Sequence, residues 1–249
     1  MTNYKILFQY DGTSYNGFQK QGNTHNTIQE KLENILEKMC GVPVEIHASG
    51  RTDAGVHAKG QVANFHIDNS LIPDMTPLDI MNYINNYLPK DITILNIEIV
   101  PPRFHSRLNA TSKTYVYHID LNPKADVFRQ RYSLSHPQPL DINAMKQATT
   151  LLVGTHDFIA FSSLKKTKKS TIRTISDISL DLEDGELLIT YTGNGFLYNM
   201  VRILTGTLIY VGEGKLKPDD ISQIFSQNSK SLTGGIAPSK GLFLEKVRY

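Results

Sequence analysis

Tyr4, Ile6, Phe8 and Tyr10 alternate with Lys5, Leu7 and Gln9 and run into Asp11-Gly12, which predicts a strand ending in a turn. Thr27 and Glu30 have the spacing of a capping box. Ile28, Leu32, Ile35, Leu36 and Met39 then share one helical face, and Gly41 supplies the stop. Val44, Ile46 and Ala48 alternate again, so a second strand delivers the chain into residues 49–58. After a third strand near 61–67, Thr76-Pro77 opens a helix through Leu88, Pro89 ends it, and an apolar strand follows from Ile92 to Val100.

The second half repeats this grammar loosely. A strand is predicted over Tyr115 to Ile119, a helix from the Asp141 cap to Gly154, and two strands between 171 and 192 around an Asp184-Gly185 hairpin turn. Leu197 to Tyr210 and Pro218 to Gln227 read as helices, and Leu242 to Tyr249 as a closing strand. Mixed strands and helices with hairpins predict an α+β chain whose antiparallel sheet carries helices on one face. A loose duplication without strict repeat places a boundary near Pro101-Pro102, giving halves 1–102 and 103–249.

Composition narrows the class. With 249 residues and 40% hydrophobic content the chain can bury a sizeable core. No stretch approaches the ~18 consecutive apolar residues of a membrane span, and Met1 to Tyr10 lack the apolar run of a signal peptide, so no membrane role and a cytoplasmic location are expected. The single Cys40 ends an apolar helix pattern and is expected to be a packed thiol. Net charge is only +2, so any nucleic-acid partner must be met by local patches. Lys165, Lys166, Lys168, Lys169 and Arg173 form one basic group and Arg103, Arg107 and Lys113 another. Each could be a solvated face or a phosphate contact.

Residues 49–58 break the periodic pattern. Between two glycines, directly after a predicted strand, stand Arg51, Thr52 and Asp53. Gly50 and Gly55 permit a sharp turn or a close approach to ligand, and Arg51 and Asp53 offer a cation and a carboxylate two residues apart. On residue types alone the loop is either a site or a turn in which Asp53 caps the backbone and pairs with Arg51.

Gly50-Arg51-Thr52-Asp53-Ala54-Gly55-Val56-His57-Ala58 resembles the signature of the TruA family of tRNA pseudouridine synthases. Tyr10-Asp11-Gly12, Gly17-Phe18-Gln19 and Thr27-Ile28-Gln29 resemble the family's opening, and Arg103-Phe104-His105-Ser106-Arg107 with Lys113-Thr114-Tyr115 its middle. Gly154 to Phe158, Asn194 to Arg202, Ala237-Pro238 and Gly241 to Leu244 continue in the family's order, so the resemblance covers essentially the whole chain. Phe18 stands where the family commonly has tryptophan, a change that should keep an aromatic packing role. Ser162 to Ser170 match weakly.

The resemblance implies a pseudouridine synthase fold, two ferredoxin-like or RRM-like α+β halves sharing a continuous, mainly antiparallel sheet. It further implies a homodimer acting on uridines 38, 39 and 40 of transfer RNA. Asp53 would be the catalytic carboxylate, Arg202 the cation that keeps it ionised, and Tyr115 a base platform and proton relay. Arg51 would enter the space left by a flipped nucleotide, with His105 and Arg107 approaching the RNA. On periodicity alone Tyr115 is a core tyrosine alternating with Tyr117, and Arg202 a surface or helix-end arginine.

The implied reaction moves ribose C1′ from uracil N1 to C5 and needs no redox or energy cofactor. The sequence carries no phosphate loop, dinucleotide fingerprint or zinc spacing, so neither cofactor nor metal is expected. Two other classes stay open: an RNA-binding protein without chemistry, and a carboxylate glycosidase, although no motif supplies the second acid.

Overall fold

The computed structural model describes residues 1–165 and 168–249; Lys166, one member of the basic group noted above, lies outside the described residues. The chain forms two compact units, residues 1–111 with 243–249, and residues 112–242.

The first unit opens with β1 (Thr2–Tyr10), in which Tyr4, Ile6, Phe8 and Tyr10 are all buried, as a strand with one core face requires. Helix α1 (Ile28–Cys40) buries Ile28, Leu32, Ile35 and Leu36 and ends at Gly41 in the left-handed conformation, φ 72°. Its N-cap differs from the expected capping box. Thr27 accepts from the Glu30 backbone N–H, but the Glu30 carboxylate meets His25 Nδ1 at 2.7 Å instead. The second strand is also shorter than expected: β2 is only His47–Ala48. Val44 and Ile46 are buried as predicted, yet the Ile46 N–H donates to Glu33 Oε1 of α1 rather than to a neighbouring strand.

β3 (His57–Ile67) is buried along nearly its whole length, as befits a strand covered on both faces. Helix α2 (Pro77–Tyr87) has a full capping box between Thr76 and Asp79, and β4 (Ile92–Val100) matches its expected limits. β1 pairs antiparallel with both β3 and β4, and α2 packs on α1 and on β4.

The second unit contains β5 (Ser112–Asp120), β6 (Leu134–Ser135), α3 (Ile142–Leu152), β7 (Gly154–Asp157), β8 (Ile172–Glu183), β9 (Glu186–Gly193), α4 (Met200–Gly212) and α5 (Asp220–Gln227). Its ladder runs β5-β9-β8-β7, antiparallel throughout, with the short β6 parallel to β5. Tyr117, Ile119, Leu187, Ile189 and Tyr191 fill its core from the sheet, and α3 packs against α4, α5 and β8. Helix α4 is buried nearly all round, as its apolar sequence requires.

The closing strand β10 (Leu242–Arg248) returns to the first unit, where Phe243 and Leu244 pair parallel with His57 and Ala58 of β3. The division after 111 differs from the boundary expected after 102. Residues 103–111 stay with the first unit because Asn3 Nδ2 donates to the Phe104 carbonyl at 2.9 Å, and Ser106 N and Oγ both bond Asn64 Oδ1. No helix among the described residues is long and apolar enough to cross a membrane.

Candidate active site

Residues 49–56 lead from β2 into β3, and their backbone is fixed from three directions within the first unit. Ser49 N–H donates to the Val62 carbonyl at 2.7 Å, and Ser49 Oγ donates to Gln61 Oε1 at 2.7 Å. Gln61 Nε2 donates in turn to the Gly50 carbonyl at 3.0 Å. The Thr52 hydroxyl lies 2.7 Å from the Tyr10 hydroxyl, and the Thr52 carbonyl accepts from the Phe18 N–H at 3.0 Å. Burial pushes the Tyr10 hydroxyl up to about 12, so it is a neutral hydrogen-bonding group at physiological pH.

The third support comes from the segment 11–18. A side chain on Gly12 would place its Cβ 2.0 Å from the Val56 carbonyl oxygen, and one on Gly17, at φ 95°, would crowd the Thr52 oxygen at 3.0 Å. Two glycines therefore let one backbone lie directly on another. His57 reinforces the junction. It accepts from the Gly12 N–H at 3.1 Å, and its ring stacks on Phe243 at 4.6 Å. Phe18 is buried against Phe8 and Tyr10, the aromatic packing role expected of it.

At the tip, Val56 N–H closes a turn onto the Asp53 carbonyl at 3.1 Å, with Gly55 at φ 76°. Asp53 is half-buried beside an exposed Arg51. The same unit brings His105 to the strand that feeds this loop: its ring stacks on His47 of β2 at 5.0 Å. Burial first, then the neighbouring His47, Arg107 and His66, hold the His105 pKa below its ordinary value. Arg103 and Arg107 are exposed on this segment, whereas Lys113 is the second residue of β5 in the other unit.

Tyr115 and Arg202 both lie in the second unit. Tyr115 is buried on the same face of β5 as Tyr117, and the Phe196 ring meets it edge-on at 5.3 Å. Phe196 belongs to the segment that enters α4, where Arg202 Nε donates to the Ala237 carbonyl at 2.7 Å and Nη1 to Asn199 Oδ1 at 2.9 Å. Ala237 N–H returns a bond to the Arg202 carbonyl at 3.1 Å. Tyr117 donates to the next carbonyl, Pro238, at 2.7 Å, and burial raises its own pKa even with Arg202 nearby.

The strap 234–238 is seated on α4 by a second glycine pair. A Cβ on Gly234 would fall 2.1 Å from the Gly206 carbonyl, and Gly234 N–H donates to Thr207 Oγ1 at 3.1 Å. The sequence marks Gly12 only as part of a turn and gives no role to Gly17, Gly206, Gly234 or Asn199. A glycine inside the apolar run of α4 was the one local sign of a close backbone approach. Lys165, Lys168 and Lys169 are exposed, while Arg173 Nη1 donates to the Ser170 and Ile172 carbonyls.

A family model described as tRNA pseudouridine synthase matches residues 6–109 and 148–249. The chain belongs to the tRNA pseudouridine synthase family. Members of this synthase family are isomerases, and the α+β units described above fit it. A tRNA pseudouridine synthase A from Bacillus sp. (strain KSM-64) is 45% identical over 249 residues, covering 100% of both chains. The tRNA pseudouridine synthase A 2 proteins of Bacillus cereus (strain ZK / E33L) and Bacillus anthracis are 43% identical with the same full coverage.

Proposed function

We propose that this synthase converts uridines 38, 39 and 40 of the transfer RNA anticodon stem-loop to pseudouridine, with Asp53 as the catalytic carboxylate. The observation that carries this reading is the clamped loop: the family's longest motif is held rigid by Gly12, Gly17, Thr52 and Gln61 and carries a half-buried carboxylate at its turn. Rigid presentation is what positioned chemistry needs, because small misplacements of a reacting group cost about 100-fold in rate.

The reaction is an isomerisation. The C1′–N1 bond breaks and C1′–C5 forms, the hydrogen on C5 leaves and N1 gains one, so composition is unchanged. Asp53 acts while ionised, and Arg202 supplies the positive charge that favours that form. Tyr115 stacks on the uracil and relays the C5 proton through its hydroxyl. Arg51, exposed beside Asp53, fills the space of the flipped nucleotide, and His105 and Arg107 approach the RNA backbone. The family resemblance also supports a homodimer working in the cytoplasm.

The test is to map pseudouridine in transfer RNA incubated with the wild-type protein and with Asp53→Asn. Wild type is expected to modify positions 38–40, and Asp53→Asn to bind equally while turning over at least ~1000-fold more slowly. Wild-type binding without isomerisation would leave an RNA-binding protein, and release of free uracil would indicate a hydrolase.

A further inference from the structure

We propose that Asn199 and Ser163 form a positioning pair that fixes the Arg202 guanidinium for catalysis; the proposal rests on the role given to Arg202 above. Asn199 occupies the N-cap of α4, where an asparagine side chain ordinarily accepts from the helix's own first N–H groups. It makes no such bond. Its backbone stands at φ 59° and ψ 8°, a left-handed conformation that costs free energy in any residue with a Cβ.

The side chain that gives up the cap is committed elsewhere. Asn199 Oδ1 accepts from Arg202 Nη1 at 2.9 Å, and Nδ2 donates to Ser163 Oγ at 2.9 Å. A guanidinium has only donors, so the carboxamide oxygen must face it, which leaves the amide NH2 for the serine hydroxyl. Ser163 is itself anchored, its N–H donating to the Tyr198 carbonyl at 3.0 Å. With Ala237 holding Nε at 2.7 Å, two nitrogens of one planar group are fixed from two separate segments, and the head group keeps little freedom to turn. An uncapped helix start and a strained φ are both explained if the orientation of Arg202 matters more than the stability of the first turn.

The test compares isomerisation rates at saturating enzyme with transfer RNA dissociation constants. Glycine accepts the left-handed backbone, so Asn199→Gly is expected to keep its thermal midpoint and its affinity for transfer RNA while the rate falls ~10- to 100-fold. Ser163→Ala is expected to slow the reaction about 3- to 10-fold, and the double variant to be no slower than Asn199→Gly alone, because Ser163 acts through Asn199. In an Arg202→Lys background, Asn199→Gly should add less than about twofold. A wild-type rate in Asn199→Gly beside a crippled Arg202→Lys overturns the positioning pair and leaves the role of Arg202 intact. Full effects of Asn199→Gly in the lysine background, or multiplying losses from Asn199 and Ser163, overturn it as well. A wild-type rate in Arg202→Lys defeats the underlying reading of Arg202 instead.

Discussion

The Asp53 loop and the Arg202 end of α4 hold these two charged side chains in opposite ways. The loop is fixed through its backbone, by Gly12 and Gly17 lying on residues 52–56 and by the Tyr10, Thr52 and Gln61 bonds. The helix end grips the guanidinium itself, through Ala237 and Asn199. Side-chain length explains the contrast. An aspartate has two torsions, so a fixed backbone nearly fixes its carboxylate, whereas arginine carries about 2 kcal/mol of rotamer freedom that only contacts at its head can remove.

Breaking the backbone clamp should have the largest effect. Gly12→Val forces the Val56 carbonyl away, and pseudouridine formation is expected to fall ~100-fold or more, with a lower thermal midpoint. Gly234→Ala lifts the strap from Gly206 and loosens Ala237. Its rate loss should be nearer ~10-fold, since Asn199 still holds Nη1, and a loss as large as that of Gly12→Val would erase the distinction. Tyr10→Phe removes one hydroxyl from the loop network and should cost about 1–2 kcal/mol in denaturant unfolding, with only a few-fold change in rate.

The smallest expected effect is on pH dependence at the edge of the loop. Burial first, with His47, Arg107 and His66 beside it, keeps His105 below its ordinary pKa, so it is neutral at pH 7. A nearby RNA phosphate favours the imidazolium, so binding takes up a proton and affinity rises as pH falls toward that lowered pKa. Titrating transfer RNA affinity should reveal a gain of about two- to fivefold that His105→Gln abolishes.

Local chemistry made much of this fold readable. β4 has the limits predicted from its apolar run after Pro89, and α3 starts at the predicted Asp141 cap, because each signal acts within a few residues. Where a distant group competes, the prediction slips. Glu30 turns to His25 instead of closing the capping box, and the Glu33 carboxylate takes the Ile46 N–H that would have lengthened β2. The candidate site divides similarly. Asp53 stands out in its own motif, while the clamp that fixes it pairs Gly12 with Val56 and Tyr10 with Thr52, contacts that no local spacing records.

The return of β10 to the first unit has a consequence for biosynthesis. The edge of β3 at His57 and Ala58, which directly follows the Asp53 loop, gains its partner only when Phe243 and Leu244 have been made. At translation speeds of about 5–20 residues per second, that wait is roughly 10 to 40 seconds. The unit from 112 to 242 is continuous in sequence, so all of it is made while the earlier one still exposes an unpaired strand edge. In nascent chains the loop-bearing half therefore stays open at that edge until the final strand is made.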